Sequence, residues 1–347
     1  MIPPTARPSY QLFVGVDIAA ATFTAAWMLP DRPPAMPRTF DQTPAGFAAF
    51  QQQLQATGVA PAASLVVLEA TSSYWVALAV TLHTAGYVVS VINPAQAHYY
   101  AKSQLRRAKT DALDAHGLTQ FAAERQPPPW TPPPAVYHDL RQRLLLRDSL
   151  VDMRQQVRNQ HHALLQWPVV VPEVRQHLEG LITDLTARIV ALEAEIAHVL
   201  QAGAWAPSAT YLRSITGIGP LTAAWILVTT LNFTLCPSPA AATAYAGLAP
   251  QPHESGTSVK GRRQIGHAGN ARLRTALYLA TLSAAQHNPV IKAFYDRLRA
   301  AGKPMKVARC AAARKLLCIA WAVVIKEQMF DPTVARERHE GAIVLAA

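Results

Sequence analysis

Four acidic residues are the side chains in this sequence best placed to do chemistry. Asp17 and Glu69 each end an apolar run, and Asp111 and Asp114 are spaced to share one face near the start of a helix. Carboxylates at the ends of buried strands are costly unless something offsets their charge. Hard oxygen ligands suit Mg²⁺, and a pair of such ions can drive phosphodiester chemistry. The four acids therefore predict a Mg²⁺ site for phosphodiester cleavage.

Each acid also has an ordinary explanation when it is taken alone. Acids in the first turn of a helix, such as Asp111 and Asp114, stabilise the helix dipole. An acid that ends a strand, such as Asp17, can simply cap a turn. We favour the metal site because all four acids fall, in order, within one α/β region of the chain.

A serine in a basic stretch is the second chemical candidate. Ser255 lies in the run His-Glu-Ser-Gly-Thr-Ser over 253–258, with Arg262 and Arg263 close behind it. A nucleophilic serine needs a base or a metal to activate it and positive charge nearby. A serine beside glycine is also common in linkers, so both interpretations stay open on the residues alone.

The charge of the chain predicts a polyanionic partner. There are 32 Lys and Arg against 21 Asp and Glu, giving a net charge of +11. The excess concentrates in 254–315, where the only acids are Glu254 and Asp296, and it indicates a phosphate-contacting surface with strong salt dependence. The Gly217-Ile218-Gly219 turn is typical of a helix-hairpin-helix, whose backbone N–H groups hold a phosphate, although a plain helix–helix turn is equally consistent. The candidate nucleic-acid-binding residues are Lys102, Arg106, Arg107, Lys109, Gly217, Gly219, Lys260, Arg262, Arg263, Arg272 and Arg274.

Other classes of protein are disfavoured. No apolar stretch in the sequence is long enough to span a membrane, and the N-terminal residues lack the apolar region of a signal peptide. Three cysteines without a CxxC pair argue against a disulfide framework or a zinc ribbon, and indicate a reducing, cytoplasmic location.

Residues 10–125 alternate between strand and helix patterns, which predicts a mixed sheet with helices packed on it. Helix 111–124 places the second pair of acids, and the other predicted helices open at Thr43 and span 74–84. The predicted strands are 10–17, 22–29, 64–69 and 87–92, the last one stopped by Asn93-Pro94.

A proline-rich break separates this region from a helical remainder. Residues 136–201 predict an antiparallel helical hairpin broken at 167–172, whose seam is available to a second chain. The heptad positions are Leu146, Leu150, Met153 and Val157 in the first half, and Leu178, Ile182, Leu185, Ile189, Leu192, Ile196 and Val199 in the second. The last region predicts helices over 221–230, 240–247, 270–286 and 305–328, with a polar loop over 250–269.

Several motifs together resemble the insertion-sequence one-ten family of transposases, the bridge-RNA-guided recombinases, over nearly the whole chain. The motifs are Val14-Gly15-Val16-Asp17, Glu69-Ala70-Thr71, Lys109-Thr110-Asp111-Ala112-Leu113-Asp114-Ala115, Gly217-Ile218-Gly219-Pro220, Tyr245-Ala246-Gly247-Leu248-Ala249-Pro250, His253-Glu254-Ser255-Gly256, Gly269-Asn270-Ala271-Arg272-Leu273-Arg274 and His287-Asn288-Pro289.

The resemblance implies a RuvC-like domain of RNase H fold, whose Asp-Glu-Asp-Asp set binding Mg²⁺ maps onto Asp17, Glu69, Asp111 and Asp114. It implies a serine nucleophile that maps onto Ser255. The family often has another serine just before this one, where the chain has Glu254, and Ser258 is the alternative nucleophile. The resemblance further implies a structured bridge RNA that pairs with donor and target DNA.

We therefore expect an α/β plus α protein that acts as an RNA-guided DNA transposase. Its partners would be DNA and RNA but no membrane, and a homodimer would assemble to a tetramer, with acids and serine combined from two chains. One alternative is a resolvase-type endonuclease that hydrolyses DNA with its acids alone. Others are a non-catalytic nucleic-acid binder and, against the charge pattern, a sugar-kinase or actin-like ATPase. The predicted parts are a RuvC-like domain (1–126), a proline-rich linker (127–135), a coiled-coil hairpin (136–202), a C-terminal transposase domain (203–330) and a tail (331–347).

Overall fold

The structure is a computed structural model that describes residues 9–104, 110–251, 254–255, 259–260, 264–265 and 269–333. The chain divides into two compact units, with the boundary after Pro132. Within these described ranges, no helix is both long and apolar enough to cross a bilayer.

The first unit is built on a five-stranded mixed sheet in the order β3-β2-β1-β4-β5. Strand β1 pairs antiparallel with β2 and parallel with β4, and β5 continues the parallel half. The predicted mixed sheet is therefore confirmed. The elements are β1 (Leu12–Ile18), β2 (Thr22–Met28), β3 (Arg38–Asp41), α1 (Pro44–Gln55), a 3₁₀ turn (Pro61–Ala63), β4 (Ser64–Glu69), α2 (Trp75–Thr84), β5 (Val88–Ile92), α3 (Pro94–Ser103) and α4 (Asp111–Arg125).

The two faces of the sheet carry separate cores because side chains alternate along each strand. The even-numbered residues of β1, such as Val14 and Val16, pack with α1 and α2 in one cluster. The odd-numbered Phe13 lies in the other cluster, together with Leu65 of β4 and Phe121 of α4. Helix α4 therefore covers the face to which the odd-numbered residues of β1 and β4 belong.

Two elements of this unit were not predicted. Strand β3 is short and exposed, so its sequence carries little hydrophobic signal. Asn93-Pro94 follows the end of β5, as the sequence predicts, and it is also the start of α3. The Asn93 side chain accepts from the Ala95 N–H, and Gln96 completes a capping box by bonding back to the Asn93 N–H.

The proline-rich segment is anchored to the first unit. The Ser90 hydroxyl lies 2.9 Å from the carbonyl oxygen of Pro127 and 2.7 Å from that of Pro128. The Trp130 N–H donates to the Val89 carbonyl at 2.7 Å, and its ring packs edge-on against Trp75. These contacts hold the segment against the edge strand β5, close to the unit boundary.

The second unit is mostly helical around one core cluster. The base of the helical hairpin belongs to this core through Leu140, Leu144, Ile196 and Leu200. The elements are α5 (Ala135–Leu164), α6 (Pro172–Ala202), α7 (Ala206–Arg213), α8 (Pro220–Thr230), α9 (Pro239–Tyr245), β6 (Pro250–Gln251), β7 (Glu254–Ser255), β8 (Val259–Lys260), β9 (Gln264–Ile265), α10 (Ala271–His287), α11 (Pro289–Ala300) and α12 (Met305–Ile325).

Helices α5 and α6 run antiparallel, as predicted for the hairpin. Arg147 bonds Glu193 at 2.6 Å near the base, and His161 lies 3.3 Å from Glu179 near the tip. Of the predicted heptad positions on α5, Leu146 and Met153 are 51% and 50% exposed, and pairing of this seam with a second chain stays a prediction. Arg147 pairs with Glu193 and is one of the less exposed residues of α5. The apolar stripe of α5 is therefore displaced around the helix.

Helix α11 was also missed by sequence reasoning. Asn288 is fully buried, ends α10 and begins α11, accepting from the N–H groups of Val290 and Ile291. The predicted polar loop over 250–269 contains two short antiparallel ladders, β6 with β9 and β7 with β8. An unbroken loop was therefore the wrong expectation.

Candidate functional site

The strand register places Asp17 and Glu69 on the same face of the sheet. Strands β1 and β4 are parallel neighbours, with Val16 opposite Leu68, so the acids that follow are adjacent at one edge. Both acids are odd-numbered and therefore point to the face that α4 covers. Both are partly buried, and the Thr71 hydroxyl donates to the Glu69 Oε1 at 3.2 Å.

Helix α4 brings the other two acids to this face from its first turn. Thr110 caps the helix, its Oγ1 accepting from the Leu113 N–H at 3.2 Å. Asp111 is exposed and Asp114 is partly buried, and both lie at the positive end of the helix dipole. The helix start is therefore a local consequence of Thr110, whereas its position over the sheet comes from tertiary packing.

The electrostatics of Asp17 show that the four carboxylates are neighbours. The pKa of Asp17 is raised from 3.8 to about 6, mainly by burial and further by repulsion from Asp114, Asp111 and Glu69. A hydrogen bond from the Ile18 N–H works in the opposite direction. The structure thus places the other three predicted acids near Asp17, whose carboxyl group is harder to ionise than usual.

The donor chemistry fits a hard divalent cation, but the spacing is not that of a formed site. Four carboxylates supply the oxygen ligands that Mg²⁺ prefers. Within the described residues, no three side chains of His, Cys, Asp or Glu lie close enough together to hold one metal ion as they stand. The acids therefore interact at the range of charge repulsion rather than at ligand distance.

Ser255 is the last residue of strand β7, which forms a small β-hairpin with β8 in the second unit. Strand β7 pairs with β8 so that Ser255 faces Val259 and Glu254 faces Lys260. The alternative nucleophile, Ser258, lies outside the described residues. The pairing places the Ser255 backbone next to the connection between the two strands.

Two of the sequence motifs meet where the stretch that contains both ladders joins the helices on either side of it. The Asn270 N–H donates to the Tyr245 carbonyl at 2.7 Å. Gly269 has φ +101°, and a Cβ there would lie 2.5 Å from the Gly247 nitrogen. Burial raises the pKa of the Tyr245 hydroxyl, and its hydrogen bond with Asn270 opposes that rise. We call Tyr245, Gly247, Gly269 and Asn270 the clasp, because they join the two ends of the serine-bearing stretch.

The Gly-Ile-Gly turn joins α7 to α8 and packs closely against α10. Gly217 has φ +103°, and a Cβ there would lie 2.6 Å from the Cβ of Ala284. The Asn288 Nδ2 donates to the Thr216 carbonyl at 3.1 Å. Gly219 is exposed with open space around it. The two glycines therefore differ, since Gly217 serves close packing and Gly219 presents the start of α8 to solvent.

Gly217→Ala is expected to destabilise the protein by at least about 2 kcal/mol, because it adds backbone strain and a clash with α10. Gly219→Ala is the matched control and should cost less than about 1 kcal/mol, since its Cβ meets nothing. Urea unfolding of both variants measures the difference. Equal losses would contradict the packing role of Gly217.

Comparison with known proteins identifies the family. A profile of DEDD transposases of IS110 elements matches residues 14–167, and one described as "Transposase IS116/IS110/IS902 family" matches residues 209–296. The chain is 30% identical over 329 residues to the pilin gene-inverting protein of Moraxella lacunata, covering 93% of this chain and 98% of the relative. The chain belongs to the IS110 family of transposases. The pilin gene-inverting protein of Moraxella bovis matches with the same identity and coverage.

A second kind of relative comes from an IS110 element itself. The uncharacterized 43.6 kDa protein of insertion element IS110 from Streptomyces coelicolor is 34% identical over 179 residues, or 52% of this chain and 41% of the relative. Membership of the IS110 family makes this chain a DNA transposase or recombinase enzyme. The span of the first profile contains the four acids in the order Asp, Glu, Asp, Asp, and the span of the second contains Ser255.

The cations predicted to bind nucleic acid have different surroundings in this IS110-family chain. Lys102 is exposed near the end of α3. Arg272 forms an ion pair with Asp148 at 2.6 Å, and Arg274 donates to the Ala246 carbonyl at 3.2 Å, so both have protein partners. Lys260 lies in β8 and pairs through its backbone. Arg106, Arg107, Lys109, Arg262 and Arg263 lie outside the described residues.

Two further cations, one on α11 and one on α12, lie against one aromatic ring of α11. Lys315 lies 4.9 Å and Arg297 lies 5.4 Å from the centre of the Phe294 ring. Burial lowers the pKa of Lys315, and the charge of Arg297 lowers it further. The basic segment is therefore a packed surface as well as a charged one.

Sequence reasoning missed the residues that support the site. Asn270 and Asn288 were seen only as parts of motifs, whereas the structure shows them capping helices and tying distant segments together. The signal for Asn288 was the Asn-Pro pair, which starts a helix when the asparagine side chain caps it.

Proposed function

We propose that this chain is an RNA-guided recombinase of an insertion element, which cuts DNA with Mg²⁺-bound carboxylates and a serine nucleophile. The observation that carries the proposal is that Asp17 and Glu69 end adjacent parallel strands under the first turn of α4. Burial and the added charges of Asp114, Asp111 and Glu69 together raise the pKa of Asp17 to about 6. Uncompensated negative charge of this kind favours a bound dication. The mixed sheet with these acids at adjacent strand ends supports the RNase H-like, RuvC-like assignment.

Asp17, Glu69, Asp111 and Asp114 are the residues that would hold the metal. A bound Mg²⁺ would supply Lewis-acid stabilisation of the charge that develops on a phosphate during cleavage. The acids must move from repulsion range to ligand distance to do this, and the partial exposure of Asp17, Glu69 and Asp114 leaves their side chains room to adjust.

Ser255 is the proposed nucleophile. Its Oγ would form a bond to phosphorus as one bridging P–O bond breaks, and the departing deoxyribose oxygen would take up a proton. The phosphoserine link keeps the energy of the broken bond for rejoining. The position of Ser255 at the end of the β7–β8 hairpin supports this role, because a nucleophile must project toward DNA.

The relatives favour recombination over hydrolysis. The printed name of the Moraxella proteins says that they invert a pilin gene, and inversion requires both broken ends to be rejoined. A covalent serine intermediate suits rejoining, whereas simple hydrolysis by the acids does not. The alternative remains a RuvC-like, metal-dependent endonuclease without a covalent serine intermediate, for which the acidic cluster alone would be sufficient.

The proposed partners are donor and target DNA, a structured bridge RNA and further copies of this chain. The excess of basic residues supports contact with phosphate backbones. The exposed Leu146 and Met153 on α5 support pairing of hairpins in a dimer that assembles to a tetramer. The α6 seam is less exposed than these two residues, since its positions are buried or partly buried.

The RNA requirement is tested by expressing the protein together with the DNA that flanks its gene in the element. The protein is then purified, and the RNA bound to it is sequenced. Recombination between plasmids bearing donor and target sites should occur with this RNA and fail after ribonuclease treatment, with activity restored by adding the RNA back. A matched control uses the same RNA with scrambled pairing loops. Recombination that is indifferent to the RNA would refute guidance while leaving the transposase assignment intact.

A further inference from the structure

Helix α4 makes backbone-to-backbone contact with strand β1 at Gly15. A Cβ on Gly15 would lie 2.2 Å from the Thr119 nitrogen and 2.5 Å from the Ala115 carbonyl oxygen. No side chain other than hydrogen fits this gap. The helix can therefore approach the sheet this closely only because residue 15 is glycine.

The Thr119 hydroxyl bridges the helix and two strands at the same point. It accepts from the Gly15 N–H at 3.1 Å, and it lies 2.9 Å from the carbonyl oxygens of Ala26 in β2 and Ala115 in α4. Thr119 is fully buried. The hydroxyl proton can go to either carbonyl, so the group is satisfied whichever way it points.

The two segments that meet here are the ones that carry the acids. Asp17 is two residues beyond Gly15 in β1. Asp114 and Asp111 precede Thr119 by five and eight residues, which is about 8 and 12 Å along the helix axis. A helix that rocked at Thr119 would therefore move both acids of α4 relative to Asp17.

We infer that Thr119 is a positioning residue for the metal site, holding Asp111 and Asp114 over Asp17 through its bond to the Gly15 N–H. This inference rests on the proposed role of the four carboxylates. Thr119 touches neither metal nor DNA in this account and acts only through the placement of α4.

The test compares divalent-metal affinity in Thr119→Val, which keeps the shape but loses the hydroxyl, with Thr119→Ser, which keeps the hydroxyl. Mn²⁺ binding is measured by the electron paramagnetic resonance signal of free Mn²⁺, without DNA. Thr119→Val should weaken binding about 10-fold, as loss of a supporting hydrogen bond around a metal site typically does. Thr119→Ser should restore affinity to within about threefold of the wild type, because the same hydrogen bonds can form.

Thr281→Val is the matched control. Thr281 is also fully buried in a helix of the second unit, but among the described residues its hydroxyl bonds only the Tyr278 carbonyl of the same helix, at 2.6 Å. Its replacement should leave Mn²⁺ affinity unchanged even if the protein becomes less stable. If Thr119→Val does not fold, Thr119→Cys replaces it, and its weakly bonding thiol should give an intermediate loss of affinity.

The possible failures are distinguishable. If the wild type binds Mn²⁺ and a folded Thr119→Val binds it equally well, Thr119 is merely structural and the inference is wrong. If the wild type binds no more Mn²⁺ than Asp17→Asn does, the metal role of the acids fails, and the inference fails with it. Protection of the Gly15 amide from hydrogen exchange, lost in Thr119→Val and kept in Thr119→Ser, is the supporting result that involves no metal.

Discussion

Ser255→Ala is expected to abolish covalent protein–DNA adducts and to lower strand exchange by at least about 10⁴-fold, as loss of a nucleophile does in other covalent enzymes. Without the Oγ no phosphoserine link can form, and the energy of the broken phosphodiester is not kept for rejoining. Adducts are measured on denaturing gels with a nicked, end-labelled substrate that cannot be rejoined. The adducted peptide is then located by mass spectrometry.

The control for this variant is Ser258→Ala, three residues further along the same basic stretch. It should still form adducts at the rate of the wild type. Adducts that persist in Ser255→Ala and vanish in Ser258→Ala would move the nucleophile to Ser258. Cleavage that continues in both variants without any adduct would favour the metal-dependent endonuclease.

Asp17→Asn should lower cleavage by at least about 10³-fold while making the metal-free protein more stable. The loss follows from the proposed role of Asp17, because removing a metal ligand forfeits several kcal/mol of metal-assisted stabilisation of the transition state. The gain in stability follows because a raised pKa means that the folded state resists ionisation of this carboxyl. Between pH 3.8 and about 6 the folded wild type binds more protons than the unfolded chain, so its stability falls as pH rises through this window.

The stability change can be sized from the same shift. Asp17→Asn should gain about 1–2 kcal/mol above pH 6, less than the full shift implies because Asp17 is partly exposed, and nothing near pH 3. Urea unfolding in EDTA at both pH values measures this. Glu124→Gln, an exposed acid on the same helix α4, is the control and should change neither activity nor the pH profile. If Asp17→Asn is less stable than the wild type in EDTA, the charge repulsion inferred at Asp17 is wrong.

The strands that carry the acids were predictable because their sequences are strong local signals. Leu65 to Leu68 is a continuous apolar run, and β4 ends at the predicted residue, Glu69. The position of α4 over these strands was not predictable in the same way. It depends on the absence of a side chain at Gly15 and on the Thr119 hydroxyl, a contact between residues 104 positions apart.

The missed helices show how one signal can be read in one place and overlooked in another. Thr43-Pro44 was recognised as a helix start, and it caps α1. Asn93-Pro94 and Asn288-Pro289 have the same form, a capping side chain followed by proline, yet α3 and α11 were not predicted. In both pairs the proline ends the preceding element and also fits the first turn of the next helix.

The hairpin seam shows how much regular spacing can establish by itself. Leu146 and Met153 repeat at heptad distance, but both are half exposed. The ion pair between Arg147 and Glu193 shows that α5 packs on α6 with charged residues among its contacts. Heptad spacing alone does not identify the buried face when charged side chains can also pack there through their stems.

The clasp has a consequence for how these enzymes diversify. Because Tyr245, Gly247, Gly269 and Asn270 hold the two ends of the serine-bearing stretch together, a change in the length of that stretch adds little loop-closure cost. The stretch can therefore be exchanged as one unit while the helical scaffold stays the same. Grafting the stretch between the clasp residues from one family member into another is a direct route to hybrid recombinases.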